Sequence, residues 1–587
     1  MNIKRRLCLL LAVSMLTALF AGCGPKNEDP PKDSATPQQT QSAQPTESST
    51  PEPGGEEGYN YAKGNYEVNE KGFPTAPYEY TLPLTEHGET FSLWTVCWMP
   101  QYIPEKGFGS MEYPTYLAEH TGVNIEYVLT SAQTRQENFA VLIASDSLCD
   151  IMAGGYAYYS GTIRNAIDDG WFANLYDYME YMPNYVYQAT SRDNVDVYSR
   201  VFYADDIIPC FYTMYPDPVP ANGYLCRKDW CDKLGMDPMQ IDTFDEVHDM
   251  LVGFKSLGAE SPMEIYKTIE LTIGTAFPGF NTTAYANPYG LPYARAIDGK
   301  VEFTTTTDDD RDCMQLINNW YNEGLIDKNW ASYGNNTEMG DVFTTGKTGY
   351  CNFNPGEIRD IEIQTNDPNA EWIALPKTKL TEDQVLKYGQ QVTEFCYGSW
   401  CFSAKCSNIP LAVTYTDWFY SPEGTITGSY GVEGLSWEYN EDGEIRLTDV
   451  IMNNPQGIGS AWCLQGMYAL NSLADAGMEI IARKYAFDGG ERLQQMHLTW
   501  VVDGYKGEYD FPSSISFSDE QSEELNLYKN DITTYINENY LAFVDGSKPM
   551  SDWDKYVSGL DALNISRCLE IYQEAYDEFQ IRFADMM

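Results

Sequence analysis

RQENFAVLIASDSLCDIMAGG, residues 135–155, holds the fold in miniature. Apolar residues at helical spacing run to Ala144, a polar turn follows, Asp150–Met152 make a short buried strand, and Gly154-Gly155 end it. Upstream, TFSLWTVCW (90–98) alternates β-formers and predicts a first core strand. Between them YPTYLAEHTGVNIEYVLTS (113–131) reads as helix, glycine turn and strand. Alternation of strand and helix predicts a parallel sheet with crossover helices, an α/β unit.

The same reading extends along the chain. DDGWFANLYDYMEY (168–181) predicts a helix and YSRVFYADDIIPCFYTMYP (198–216) two short strands. GYLCRKDWCDKLGMDPMQIDTFDEVHDMLVGFKSLG (223–258) gives a strand, a helix, a loop and a second helix capped by Thr243 or Asp245. Thr243-x-x-Glu246 is a capping box, in which each residue's side chain satisfies the other's backbone N–H. RDCMQLINNWYNEGLID (311–327) and NIPLAVTYTDWFYSPEG (408–424) are amphipathic helices, and ISRCLEIYQEAYDEFQIRFA (565–584) is a long final one. No repeat of fixed period occurs.

The amino terminus sets the compartment. Lys4, Arg5 and Arg6 precede the apolar run Leu7–Phe20, which is shorter than the roughly 20 residues a membrane span needs. A basic patch, a short apolar core and small residues before a cut describe a secretory signal peptide, residues 1–22. Ala21-Gly22-Cys23 resembles the lipobox of bacterial lipoproteins, with Phe20 where a branched aliphatic residue is usual. That resemblance implies a diacylglycerol on Cys23, which would then be the mature amino terminus on the outer face of the membrane. Residues 24–58 are rich in Pro, Thr, Ser, Gln and Glu and predict a disordered tether, followed by a polar lead-in with turns to residue 89.

About 500 residues remain, too many for one core. The net charge of −49 argues against nucleic acid and anionic membrane surfaces as partners and suits a solvated exported surface. Fourteen cysteines and four histidines show no CxxC and no zinc or iron–sulfur spacing. Their apolar surroundings fit buried free thiols, with scattered disulfides as the alternative. Gly340–Thr348 (GDVFTTGKT) has five residues between its glycines where a phosphate loop needs four, and no strand before it. HExxH, GxSxG and EF-hand patterns are missing, and the acidic run Asp308–Asp310 with Asp312 lacks the alternating ligands of a calcium loop. No metal or cofactor is expected. A paired-carboxylate hydrolase is open on composition alone.

Seven segments in order resemble one family. LIASDSLCDIM (142–152), CRKDWCDKLGMDPMQIDTFDEV (226–247), WYNEGLID (320–327), FTTGKTGY (343–350), FSAKCSNIPLAVTYTDWFYSPEG (402–424), GVEGLSWEYNEDG (431–443) and DWDKYVSGLDALNISRCLEIYQEAYDEF (552–579) are similar to extracellular solute-binding lipoproteins of carbohydrate ABC transporters, of the LplA type. Cys149 stands where that family commonly has Pro. The resemblance implies a two-lobed periplasmic-binding-protein type II fold with a hinge and an interlobe cleft. It further implies capture of an oligosaccharide and its delivery to the transmembrane subunits of an ABC permease, with no catalysis. The expected amino-terminal lobe is 90–215 plus 396–475, the carboxy-terminal lobe 216–395 plus 476–587, and the protein is expected to act as a monomer. The alternatives are a secreted glycan hydrolase and a peptide-binding or adhesive surface lipoprotein.

A sugar site needs flat aromatic platforms and fixed polar groups. In an α/β lobe these belong on loops after strands, at the carboxyl edge of the sheet. That filter selects Trp98, Tyr156, Tyr158 and Tyr159, then Tyr212, Tyr215 and Trp400 near the lobe crossovers. It adds Trp437 beside Glu433, the carboxylate singled out for testing. For each aromatic residue the alternative is ordinary packing.

Overall fold

The computed structural model describes residues 57–97, 100–192, 194–216, 223–265, 277–282, 291–333, 342–343, 345–353, 362, 365, 367–388, 394–469, 476–480, 490–501 and 507–584. Trp98 and the segment carrying Cys23, the signal peptide and the tether lie outside them.

Among the described residues the strands are β1 (Thr90–Cys97), β2 (Asn124–Ser131), β3 (Ile151–Ala153), β4 (Phe211–Met214), β5 (Gly223–Arg227), β6 (Ala294–Ile297), β7 (Lys300–Phe303), β8 (Tyr350–Phe353), β9 (Trp372–Ala374), β10 (Phe395–Phe402), β11 (Trp437–Tyr439) and β12 (Ile445–Leu447). A first sheet has the order β2-β1-β3-β10-β4, and a second the order β8-β5-β9. β6–β7 and β11–β12 are hairpins.

In the first sheet β1 runs parallel to β2 and β3, as strand–helix alternation predicts. Helices Glu112–Thr121 and Arg135–Ala144 make the crossovers. The Asp150 carboxylate accepts from the Ser92 amide at 2.8 Å and the Ser92 hydroxyl at 2.7 Å, which ties β3 to β1. Gly122 ends the first crossover helix at φ +76°, where an added Cβ would sit 2.2 Å from the Thr85 carbonyl oxygen. β10 then enters antiparallel to both β3 and β4.

Two large hydrophobic cores share no residue. The first gathers side chains between Tyr61 and Met214, between Phe395 and Tyr420, and Ala476 and Met478. The second gathers side chains between Tyr224 and Leu375 and from the carboxy-terminal helices, Leu525 to Ile571. Ala476 and Met478 thus pack with the first core, just past the expected boundary at 475. A smaller core built on the β11–β12 hairpin takes in Tyr102 and Met111 from the loop after β1.

Several local expectations are realised. Thr243 caps helix Phe244–Ser256, with Glu246 completing the box. The final helix, Ile565–Arg582, buries Ile565, Cys568, Ile571, Ala575 and Phe579 at helical spacing. Asp308–Asp310 form the first turn of helix Asp308–Asn322, where carboxylates favour the positive end of the helix dipole. Asp310 is buried there and accepts from the Thr306 and Thr307 amides at 3.0 and 2.8 Å, so it acts as a cap. The eleven cysteines whose side chains are described are all buried.

Other expectations are corrected. Residues 198–201 belong to helix Val195–Val201, capped by the Asn194 side chain, so only the second expected strand, β4, forms there. Residues 175–181 form a kinked 3-10 helix. Helix Asp519–Asp545, the longest described, has no counterpart in the sequence reading.

The lead-in is also more than a spacer: Tyr61, Ala62, Tyr80 and Leu84 are buried in the first core. Its anchor is Asp417, fully buried on helix Ile409–Trp418. One carboxylate oxygen accepts from the Tyr80 hydroxyl at 2.7 Å and from the Asn184 amide and side chain, both at 3.1 Å. The other accepts from the Tyr185 amide at 2.7 Å. Asn184 in turn holds both the amide and the carbonyl of Tyr78. Removing a buried acceptor leaves its donors desolvated and unpaired. Asp417→Ala is therefore expected to lower the free energy of unfolding by about 3 kcal/mol, measured from the urea midpoint, with Asp417→Asn costing less.

Candidate functional site

Among the described residues, segments leading from one core toward the other run together. At the end of β4 the Met214 amide donates to the Gly477 carbonyl at 2.9 Å, and its carbonyl accepts from the Glu479 amide at 2.8 Å. The next amide, of Tyr215, donates to the Glu394 carbonyl at 2.8 Å, just before β10 begins. Three segments, around 214, 394 and 478, therefore lie side by side. Side chains brace them from the first core. Arg192 donates to the Tyr215 carbonyl at 2.8 Å, and Asn194 to the Glu394 carboxylate at 2.6 Å. The Arg200 guanidinium lies over the Tyr212 and Phe395 rings at 5.0 and 4.6 Å. Burial raises the pKa of Glu394, with the Arg192 charge opposing it.

Beside this crossing, the carboxyl edge of β3 leads into Gly154-Gly155 and a single helical turn, Gly155–Tyr158. An added Cβ on Gly155 would lie 2.4 Å from the Cys401 sulfur, so the turn can approach β10 only without a side chain there. It delivers three tyrosines to one aromatic cluster. Tyr156 packs against Phe172 at 4.8 Å, and its hydroxyl is buried without a hydrogen-bond partner. Burial drives that phenol's pKa far up. Tyr158 stands edge-on to Trp94 at 5.5 Å, and its carbonyl accepts from Gln136 at 3.0 Å. The Tyr159 hydroxyl donates to Asp169 at 3.2 Å. Trp94 is held from behind by Asn138, which accepts its indole N–H at 2.7 Å.

The remaining sequence-selected residues are placed as follows. Tyr212 is packed between Arg200 and Phe395, and Tyr215 sits on the crossing itself. Trp400 and Trp437 are corrected as platforms, because protein encloses both rings. Trp400 is 2% exposed and lies parallel to Tyr415 in the first core; Trp437 is 5% exposed and donates to the Gly431 carbonyl at 3.2 Å. Both occupy strands whose inward face must be apolar. Glu433 is exposed in the turn before β11. Through Tyr102 and Met111, its hairpin flanks the loop after β1.

Sequence reading missed two buried titratable groups in the second half. Lys377 lies three residues beyond β9, which runs antiparallel to β5 and ends with Ala374 opposite Leu225. Its ammonium has no hydrogen-bond partner, and burial lowers its pKa to about 7. Glu264 is 1% exposed with both carboxylate oxygens unpaired. Burial, with Asp327 adding repulsion, raises its pKa to about 9. No helix among the described residues is long and apolar enough to cross a membrane. None of the described residues form a group of three or more His, Cys, Asp or Glu able to hold a metal. The arrangement thus offers ring faces and hydrogen-bonding groups beside a multi-strand crossing.

Comparison with known proteins gives a consistent pattern. The sequence profile of the family described as bacterial extracellular solute-binding protein matches residues 98–426, more than half of the chain. No curated protein matches the sequence significantly. An extracellular solute-binding protein from Bifidobacterium longum subsp. infantis is similar in structure at TM-score 0.66 and 16% identity, over 84% of this chain and 98% of that one. The alginate-binding protein AlgQ2 matches at TM-score 0.59 and 20% identity, over 84% and 99%. The Streptococcus pneumoniae substrate-binding protein FusA, in complex with kestose, matches at TM-score 0.60 and 18% identity, over 84% and 100%. At such identities the likeness establishes the fold, which is the two-lobed periplasmic-binding-protein type II architecture.

Glu264 makes stability depend on pH. The folded state holds its proton up to about pH 9, whereas the unfolded chain releases it near 4.5, so stability from this group falls as pH rises between those values. Glu264→Gln is expected to leave the thermal midpoint unchanged at pH 4. At pH 7 it should stabilise by about 3 kcal/mol, read by calorimetry across a pH series.

Proposed function

We propose, from the premise that the chain belongs to the bacterial extracellular solute-binding protein family, that it captures an oligosaccharide between two lobes and presents it to an ABC permease. Supporting the ligand class is the tyrosine cluster at the carboxyl edge of β3, set beside the three-segment crossing. The similar structures include FusA in complex with kestose and the alginate-binding protein AlgQ2. Sugars expose apolar C–H faces and a rim of hydroxyls, which ring faces and fixed polar groups complement. Tyr158 and Tyr159 are the residues assigned to that contact, with Tyr156 fixing the turn beneath them. Trp98, which follows β1 in the sequence, is assigned to the same wall.

In this reading the lobes are 90–215 with 396–479, joined by the lead-in, and 216–393 with 480–587. Segments near 214, 394 and 478 form the hinge. Ligand contacts made from both lobes bind the closed state more tightly than the open one and shift the population toward closure. The closed outline is what a permease reads. Binding, without bond cleavage, is the whole of the chemistry. The protein acts as a monomer, lipid-anchored through Cys23 on the outer face of the membrane.

A thermal-shift and calorimetric screen of neutral and acidic oligosaccharides tests the ligand class. A true ligand at a hundred times its dissociation constant should stabilise by about 2.7 kcal/mol. Tyr158→Ala and Tyr159→Ala should each weaken that ligand about tenfold, with folding checked separately by the unliganded melting curve. Stabilisation by peptides and by no saccharide would overturn the assignment. For the anchor, Cys23→Ser should move the protein from the membrane fraction to the medium.

A further inference from the structure

On the first core, the lead-in and the 3-10 helix Leu175–Tyr181 line an open pocket of about 280 Å³. Its place follows from the register. Phe402 pairs with Ile151 at the amino end of β3, and the following Ser403 bridges to Phe172. From Phe172, which also packs against Tyr156, the chain leads away into Leu175–Tyr181, whose Leu175 is buried in the first core.

Pro74 and Val186 form a buried apolar floor, widened by Met179, and the Tyr66 and Tyr176 side chains also line the space. Tyr66 is braced edge-on by Tyr78 at 6.3 Å. Tyr176 stays 37% exposed, with its backbone amide held by Asn174.

The charges in this pocket are one-sided. Glu180 and Asp177 both line it, and no Lys, Arg or His does. Glu180 is already ion-paired with Lys63, whose ammonium lies 5.2 Å from the Tyr181 ring centroid. Asp177 has no ion pair or side-chain hydrogen bond with any described residue. An anionic guest would meet the Asp177 carboxylate and the chain's net charge of −49, while the Lys63 ammonium is already engaged by Glu180. A cation on a short apolar stem meets the reverse: a floor for the stem, phenol faces for the ammonium and a free carboxylate beside them. We propose that this pocket binds an alkylammonium group, supplied by a free aliphatic amine or by the lysine side chain of a neighbouring peptide.

The test uses the full chain. 1,5-Diaminopentane represents the free amine, Nα-acetyl-lysine amide the peptide-borne one, and 1-pentanol is the uncharged control, each titrated by NMR or calorimetry. Saturable millimolar binding of at least one ammonium probe is expected, with the better of the two identifying the source. It should weaken about fivefold in Asp177→Asn and fall further in Tyr176→Ala, and adding salt should weaken it. Asp177 and Tyr176 are exposed, so both variants should keep the parent melting temperature. Oligosaccharide binding in the interlobe site should be unchanged by either variant, which separates a failure here from a failure of the carbohydrate reading. Equal binding of 1-pentanol, a neutral saccharide binding the pocket in place of the amines, or no difference between the parent and Asp177→Asn would overturn the proposal.

Discussion

The backbone of Met214 joins the two halves of the molecule's logic. Its amide and carbonyl are taken by Gly477 and Glu479, while the adjoining Tyr215 amide is taken by Glu394. Two cores without a common residue must be linked by chain that leaves one and enters the other, and buried peptide groups on such links need partners. Here the links satisfy one another. That requirement places the end of β4, the start of β10 and the segment at 478 together. The Gly155–Tyr158 turn gains its meaning from this neighbourhood.

Much of the first sheet was legible because its signals are local. The β1 alternation, the glycine after the first crossover helix and the Thr243–Glu246 box each act within a few residues, and each appears where the pattern puts it. The misreadings come from signals that tertiary context outweighs. YSRVFY alternates like a strand, yet Asn194 caps the preceding amides and turns the segment into helix Val195–Val201. Trp400 and Trp437 satisfy the rule of lying on or after strands, but both fall on inward faces, which position in the chain does not reveal. Lys377 and Glu264 look like any surface charge in sequence; only burial sets them apart. Helix Asp519–Asp545 has buried residues spaced thinly among polar ones, so its periodicity is faint.

The acidity and the thiols belong to the same account. Charged side chains crowd the outside, while described cysteines line the cores, where burial raises the thiol pKa of Cys226, Cys313 and Cys401 well above the ordinary value. A protonated, enclosed thiol is a poor nucleophile and behaves as a small apolar side chain. Even Cys226 and Cys231, with sulfurs 3.7 Å apart, contribute packing in the second core. The cores are held by rings and aliphatic groups, without covalent cross-links among the described cysteines.

The clasp of Asp417 on Tyr80 and Asn184 has a mechanical corollary. A pull arriving through residue 57 enters the molecule through the first core, because the lead-in buries Tyr61, Ala62, Tyr80 and Leu84 there. Under the hinge proposed above, closure swings the second core while the half that holds the lead-in keeps its bearing.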